Sequence, residues 1–85
     1  MKLILYSNGS EKSLAARQFL QEYNILFEEV DARSSDGFQR LVNRTQQKQL
    51  PAFELKRAHS IQIIVGFDKE LLLREIGPLP LEEKK

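Results

Sequence analysis

The sequence predicts a small α/β domain, with a four-stranded mixed sheet flanked by helices in the order β-α-β-α-β-β-α. Three observations lead there. A short continuous apolar run, Leu3-Ile4-Leu5-Tyr6, is followed by a polar turn and a helical period. A second strand candidate closes that unit within about 30 residues, the length of a βαβ crossover with parallel strands. Two further short apolar runs, Ala52–Leu55 and Ile61–Val65, flank a five-residue polar loop and read as an antiparallel hairpin.

Each element has its own signature. The first run is short, apolar throughout and sharply bounded, as expected of a strand buried on both faces. Ser7-Asn8-Gly9 forms a turn. A helix follows from about Ser10 to Tyr23, with Ala16, Phe19, Leu20 and Tyr23 on one face and Ser10 as its N-cap. Asn24 ends it. Ile25 to Val30 is the next strand candidate. Arg33 to Gly37 is a polar loop with capping residues, and Phe38, Leu41, Val42 and Thr45 mark a short second helix. Leu50-Pro51 leads into the third strand, at a place where a missing N–H is tolerated. Residues 56–60 turn the hairpin. Asp68 caps the last helix, with Phe67 and Leu72 set to form a hydrophobic staple. That helix runs to about Ile76, and Gly77-Pro78 stops it. Residues 1–77 are expected to form one domain and 78–85 a disordered tail.

Bulk properties narrow the function. An 85-residue chain is one small domain with one modest core. A net charge of +1 gives no overall pull toward nucleic acid or membrane. Arg33, Arg40, Arg44, Lys48, Lys56 and Arg57 are concentrated in residues 33–57, a pattern read first as a solvated face. No aromatic interleaving supports nucleic-acid binding. No apolar run approaches a signal peptide's core or the roughly 18 residues of a membrane span, so a cytoplasmic protein is expected. The chain has no cysteine, which excludes disulfides and thiolate metal sites. The single histidine, His59, falls in the hairpin loop without a second strong ligand. No metal is therefore expected, and serine hydrolase chemistry lacks a base.

Three segments together resemble glutaredoxin. "LYSNGSEKS" resembles the Leu-Tyr-Ser-x-Gly-Cys-Pro-x-Cys pattern of small glutaredoxin-like proteins. "TQQKQLPAF" resembles Thr-Gly-x-x-Thr-Val-Pro-x-x-Phe, and "VGFDKELL" resembles the Gly-Gly-Phe-Asp opening of the last helix. The resemblance covers about residues 1–76 and implies a thioredoxin-like fold of glutaredoxin type. It sets Ser10 at the nucleophilic cysteine and Ser13 at the resolving one. It aligns Pro51 with the family's cis-proline, preceded by Leu50, whose backbone would pair with glutathione or a peptide. It aligns Gln47 and Lys48 with the region contacting a glutathione carboxylate, and Gly66 and Asp68 with the turn holding the γ-glutamyl end. Asn8 lies near the family's first-turn lysine. Glu11 stands where the family has proline, and Val65 where it has a glycine.

The implied activity is glutathione-linked thiol–disulfide exchange, with glutathione or a disulfide-bearing protein or peptide as partner, no covalently bound cofactor and a monomeric chain. That chemistry needs a thiolate, stabilised at a helix N-terminus. A serine hydroxyl stays protonated near neutrality and forms no disulfide, so the chain as given is expected to be inactive. Natural loss of the thiols and deliberate Cys→Ser replacement both produce this pattern. What remains is binding geometry: the N–H groups of Asn8 to Ser10 as an anion-receptive helix start, and Leu50 as a strand-like edge. The alternative is a non-catalytic module that binds protein or peptide. The clock protein KaiB, which is similar at Tyr6, Gly9, Ser13 and Ala16, illustrates that use of the fold.

Overall fold

Leu3, Ile4, Leu5 and Tyr6 are all buried, because the strand that carries them is central and covered on both faces. The computed structural model describes residues 2–76. The expected helix stop at Gly77-Pro78 and the tail beyond lie outside the described residues. The elements are β1 (Lys2–Ser7), α1 (Glu11–Glu22), β2 (Glu28–Asp31), α2 (Ser35–Thr45), β3 (Ala52–Lys56), β4 (Ile61–Val65) and α3 (Lys69–Ile76). The sheet order is β2-β1-β3-β4. β1 and β2 are parallel; β3 is antiparallel to both of its neighbours.

Alternation along the central strands divides the core in two. On one face Leu3, Leu5, Phe53, Leu55 and Ile64 meet Ala16, Phe19 and Leu20 of α1 and Leu72 of α3. Phe19 stacks against Tyr23 and Phe67, with ring centroids 4.8 and 5.7 Å apart. On the other face Ile4, Tyr6, Val30 and Ala52 pack with Leu41 of α2. Phe67 and Leu72 join the same cluster, as a staple requires, and the Asp68 carboxylate accepts the Leu71 N–H at 3.2 Å.

Helix ends follow side-chain chemistry. Asn24 adopts φ 56°, and the bonds Asn24 N–H to Gln21 O and Ile25 N–H to Leu20 O complete a Schellman motif. This motif corrects the second strand, expected from Ile25. The chain is still leaving the helix at Ile25, so pairing with β1 starts only at Glu28. Ile25 and Phe27 instead pack on the core from the connection. The second helix starts earlier than its first apolar residue, because Ser34 caps it by accepting the Gly37 N–H at 3.0 Å. Phe38, expected on its apolar face, stays 37% exposed. Gly37 is needed for close approach: a Cβ there would lie 1.9 Å from the Asp31 carbonyl oxygen.

Candidate functional site at one end of the sheet

The register brings separate segments to one end of the sheet. Tyr6 lies opposite Ala52, and Ala52 opposite Val65, so Ser7, Pro51 and Gly66 fall level one step further on. The Gly66 N–H donates to the Pro51 carbonyl at 2.7 Å, and the Ala32 N–H to the Ser7 carbonyl at 2.8 Å. Asn8 to Ser10, Asp31 to Arg33, Leu50-Pro51 and Gly66 to Asp68 therefore converge. The Leu50–Pro51 peptide bond is cis. Among the described residues, the N–H and C=O of Leu50 take part in no ladder or turn hydrogen bond.

At the start of α1 the side chains bond one another. The exposed Ser10 hydroxyl caps the helix, accepting the Ser13 N–H at 3.3 Å and donating to Ser13 Oγ at 3.3 Å. Ser13, which is buried, donates to Asn8 Oδ1 at 2.9 Å and accepts the Asn8 N–H at 3.2 Å. Asn8 Oδ1 also accepts the Ser10 N–H at 3.1 Å. The N–H groups of Asn8 and Ser10 are thus bonded to short polar side chains of the same turn.

The loop before Pro51 is also self-contained. Gln47 donates to Thr45 Oγ1 at 3.1 Å and to the Gln49 carbonyl at 3.3 Å, and accepts the Gln49 N–H. Its amide, aligned with a carboxylate-contacting region, is thus engaged within the loop. Lys48 is exposed. Gly66 has φ +88° and open space where a Cβ would stand.

The basic run from Arg33 to Arg57 does not act as one patch. Arg33 pairs with Asp31, Arg40 with Glu28, Arg44 with Glu54 and Arg57 with Glu75. Arg33 belongs to the site end, and sequence reasoning placed it only within the run. Its Nη1 lies over the left-handed turn at Gly9 (φ +79°), 2.8 Å from where a Cβ would be. The Arg33 hydrogen bonds hold the Asp31 carboxyl down at about 2. On β2 the Arg17 guanidinium grips Glu29 through two bonds of 2.9 and 2.7 Å, and the Ser7 hydroxyl donates to the same carboxylate at 2.7 Å. Arg17 thus lowers the Glu29 pKa.

One polar cluster had no legible signal. Glu54 is fully buried on β3, where it accepts the Tyr6 hydroxyl and Arg44 Nη2, each at 2.7 Å. Burial alone pushes this carboxyl up, but the Arg44 and Tyr6 bonds outweigh burial and hold it low. Burial, together with the Glu54 carboxylate, pushes the Tyr6 phenol up to about 12. Strand parity puts both residues on the α2 face. The pairing itself needs Arg44, 10 residues from Glu54 in sequence.

A cavity of about 260 Å³ lined by Glu28, Val30, Asp31, Gly37 and Arg40 lies between β2 and α2, and none of the site-end serines or Pro51 lines it. Among the described residues no His, Cys, Asp or Glu cluster is arranged for a metal ion, and no helix is long and apolar enough to cross a membrane.

No protein-family model and no curated protein sequence matches the chain. In three dimensions it is similar to the crystal structure of a point variant of the thioredoxin-like protein BC3987. The TM-score is 0.76 at 19% identity, covering 88% of this chain and 94% of that one. The fold is thioredoxin-like. In this thioredoxin-like chain Ser10 and Ser13 occupy the cap and first turn of α1, with the buried member of the pair beneath the exposed one.

Proposed function

We propose that this chain is a glutaredoxin-type thioredoxin fold without thiols, retaining an edge that binds glutathione or an extended, disulfide-bearing peptide but carrying out no exchange itself. One observation carries the reading. The exposed Ser10 cap, the unpaired main chain of Leu50 beside Pro51, and the Gly66–Asp68 turn share one end of the sheet. An extended ligand laid against Leu50 gains main-chain hydrogen bonds in the manner of an added strand. With hydroxyls at both positions, the chain has no group that can attack a sulfur.

The test is a Ser10→Cys variant assayed for glutathione-dependent reduction of a mixed disulfide, with the unmodified chain as control. Turnover in the variant alone supports the reading. A folded variant with no turnover overturns the glutathione assignment.

A second reading, a non-catalytic peptide-binding module, is favoured by the satisfied N–H groups of Asn8 and Ser10 and by the engaged Gln47 amide. Those bonds leave fewer free donors for glutathione carboxylates, while Leu50 stays open. Titration followed by amide NMR separates the two. Shifts at Leu50 and Gly66 with glutathione support the first reading. Shifts with an extended peptide and none with glutathione support the second.

A further inference from the structure

We propose that the outer edge of β4 is a self-association seam, where two copies pair β4 with β4 antiparallel about Ile63 and join their sheets into one. The inference is independent of the binding reading above. It begins with the direction of backbone groups. The Arg57 N–H bonds the Ser60 carbonyl, and the Gly66 N–H bonds the Pro51 carbonyl. Antiparallel ladder bonds alternate along the register between these two points. Ser60, Gln62, Ile64 and Gly66 therefore turn their main-chain groups toward β3. Ile61, Ile63 and Val65 turn theirs outward.

The same three residues present their side chains on the face opposite the α1–α3 core, because Ile64 between them is buried in that core. Ile61 is 57% exposed and Val65 42%, with Ile63 half-buried. Edge strands are normally blunted by charge, proline or a bulge. The other edge follows that rule, with Glu28, Glu29 and Asp31 in β2. β4 reads Ile-Gln-Ile-Ile-Val and has no such device.

Among the described residues no strand pairs with the outer side of β4. β4 runs parallel to β1, and α3 packs on the same sheet face as α1. α3 returns to the hairpin end, where Arg57 bonds the Glu75 carbonyl at 2.7 Å.

A second copy meets the edge without conflict. Pairing about Ile63 sets Ile61 opposite Val65 of the other copy, Ile63 opposite Ile63, and Val65 opposite Ile61. All six residues have outward main-chain groups, and their side chains fall on one face. A two-fold axis makes the contact isologous and consumes both β4 edges. Only the charged β2 edges remain, so assembly closes at the dimer. The five paired residues a side are far fewer than the roughly 20–30 that bury about 800 Å² a side in a standard stable interface. The dimer is therefore weak, and the monomer expected from sequence is the dilute state.

Sedimentation velocity tests the seam on the full chain. The expected result is a monomer at ~10 μM and a rising dimer fraction toward ~1 mM, the range of a weak dissociation constant. Ile61→Lys and Val65→Glu, each at an exposed position, should each hold the chain monomeric. The double variant should dimerise again, because the register puts the new lysine opposite the new glutamate. Amide exchange at Ile61, Ile63 and Val65 in the unmodified chain should be fast at ~10 μM and slowed at ~1 mM. A chain still monomeric at ~1 mM, or a double variant no better than the singles, would overturn the proposal. So would protection of those amides in dilute solution, which would mean that the chain covers its own edge.

Discussion

Replacing Arg44 with methionine keeps the aliphatic stem and removes the cation facing Glu54. The Glu54 side chain is 0% exposed, and Arg44 holds it through Nη2 at 2.7 Å and Nε at 3.2 Å. Afterwards a buried carboxylate retains the Tyr6 hydroxyl as its one hydrogen-bond partner. Breaking a buried pair by removing one member typically destabilises by about 3–5 kcal/mol. The Arg44 side chain is 39% exposed, so water reaches its end of the pair and screens part of this. The expected loss is about 2–3 kcal/mol. For a domain of this size that lowers the melting temperature by roughly 10–20 °C. Urea unfolding followed by far-UV circular dichroism reads the change as a lower midpoint at unchanged slope. Adding Glu54→Gln to Arg44→Met should recover more than half of the loss, because the stranded charge is gone while an acceptor for Tyr6 remains. The penalty should also shrink in acid as Glu54 takes up a proton. An Arg44→Met chain within about 0.5 kcal/mol of the parent, the scale of a neutral surface change, would refute this account of the cluster.

Other perturbations test separate links. Ser10→Ala removes the α1 cap and should destabilise by about 1 kcal/mol in the same urea assay. Gly37→Ala drives a methyl into the Asp31 carbonyl and should destabilise by at least about 2 kcal/mol, visible as a lower thermal midpoint. Glu28, Glu29, Asp31 and Glu54 all titrate lower in the folded chain, so the unfolded chain binds more protons in acid. Stability should therefore hold above about pH 4.5 and fall as pH drops toward 2, checked by thermal melts across that range. The Tyr6 phenol is raised to about 12, so its contribution should be intact below about pH 10 and vanish as pH rises through 12. Tyrosinate absorbance tracked against circular dichroism reads this out.

Much of the fold is legible locally. The apolar run at Leu3–Tyr6, the 3.6-residue period through Phe19 and Tyr23, and the caps at Ser10 and Asp68 depend on neighbours within a turn or two, and each appears where expected. The second strand starts at Glu28 and not at Ile25 because the apolar residues Ile25 and Phe27 pack on the core from a loop, which composition does not distinguish from a ladder. The site-end residues Asn8, Ser10, Ser13, Leu50, Pro51, Gly66 and Asp68 come together through register, which sequence order implies once β3 is known to pair with both β1 and β4.

The sequence by itself determined the element order, the starts of the first and last helices and the absence of any thiol, because these follow from local propensity and residue chemistry. Only the tertiary structure decided which polar groups are free and which are consumed. Asn8 and Ser13 bond one another at the helix start, Arg44 neutralises Glu54 beneath α2, and among the described residues β4 is left as a sheet edge. The Tyr6–Glu54 bond of that cluster joins residues 48 positions apart at 2.7 Å, within the reach of a hydrogen bond. That reach is set by how strands align and helices pack, and no single segment encodes it.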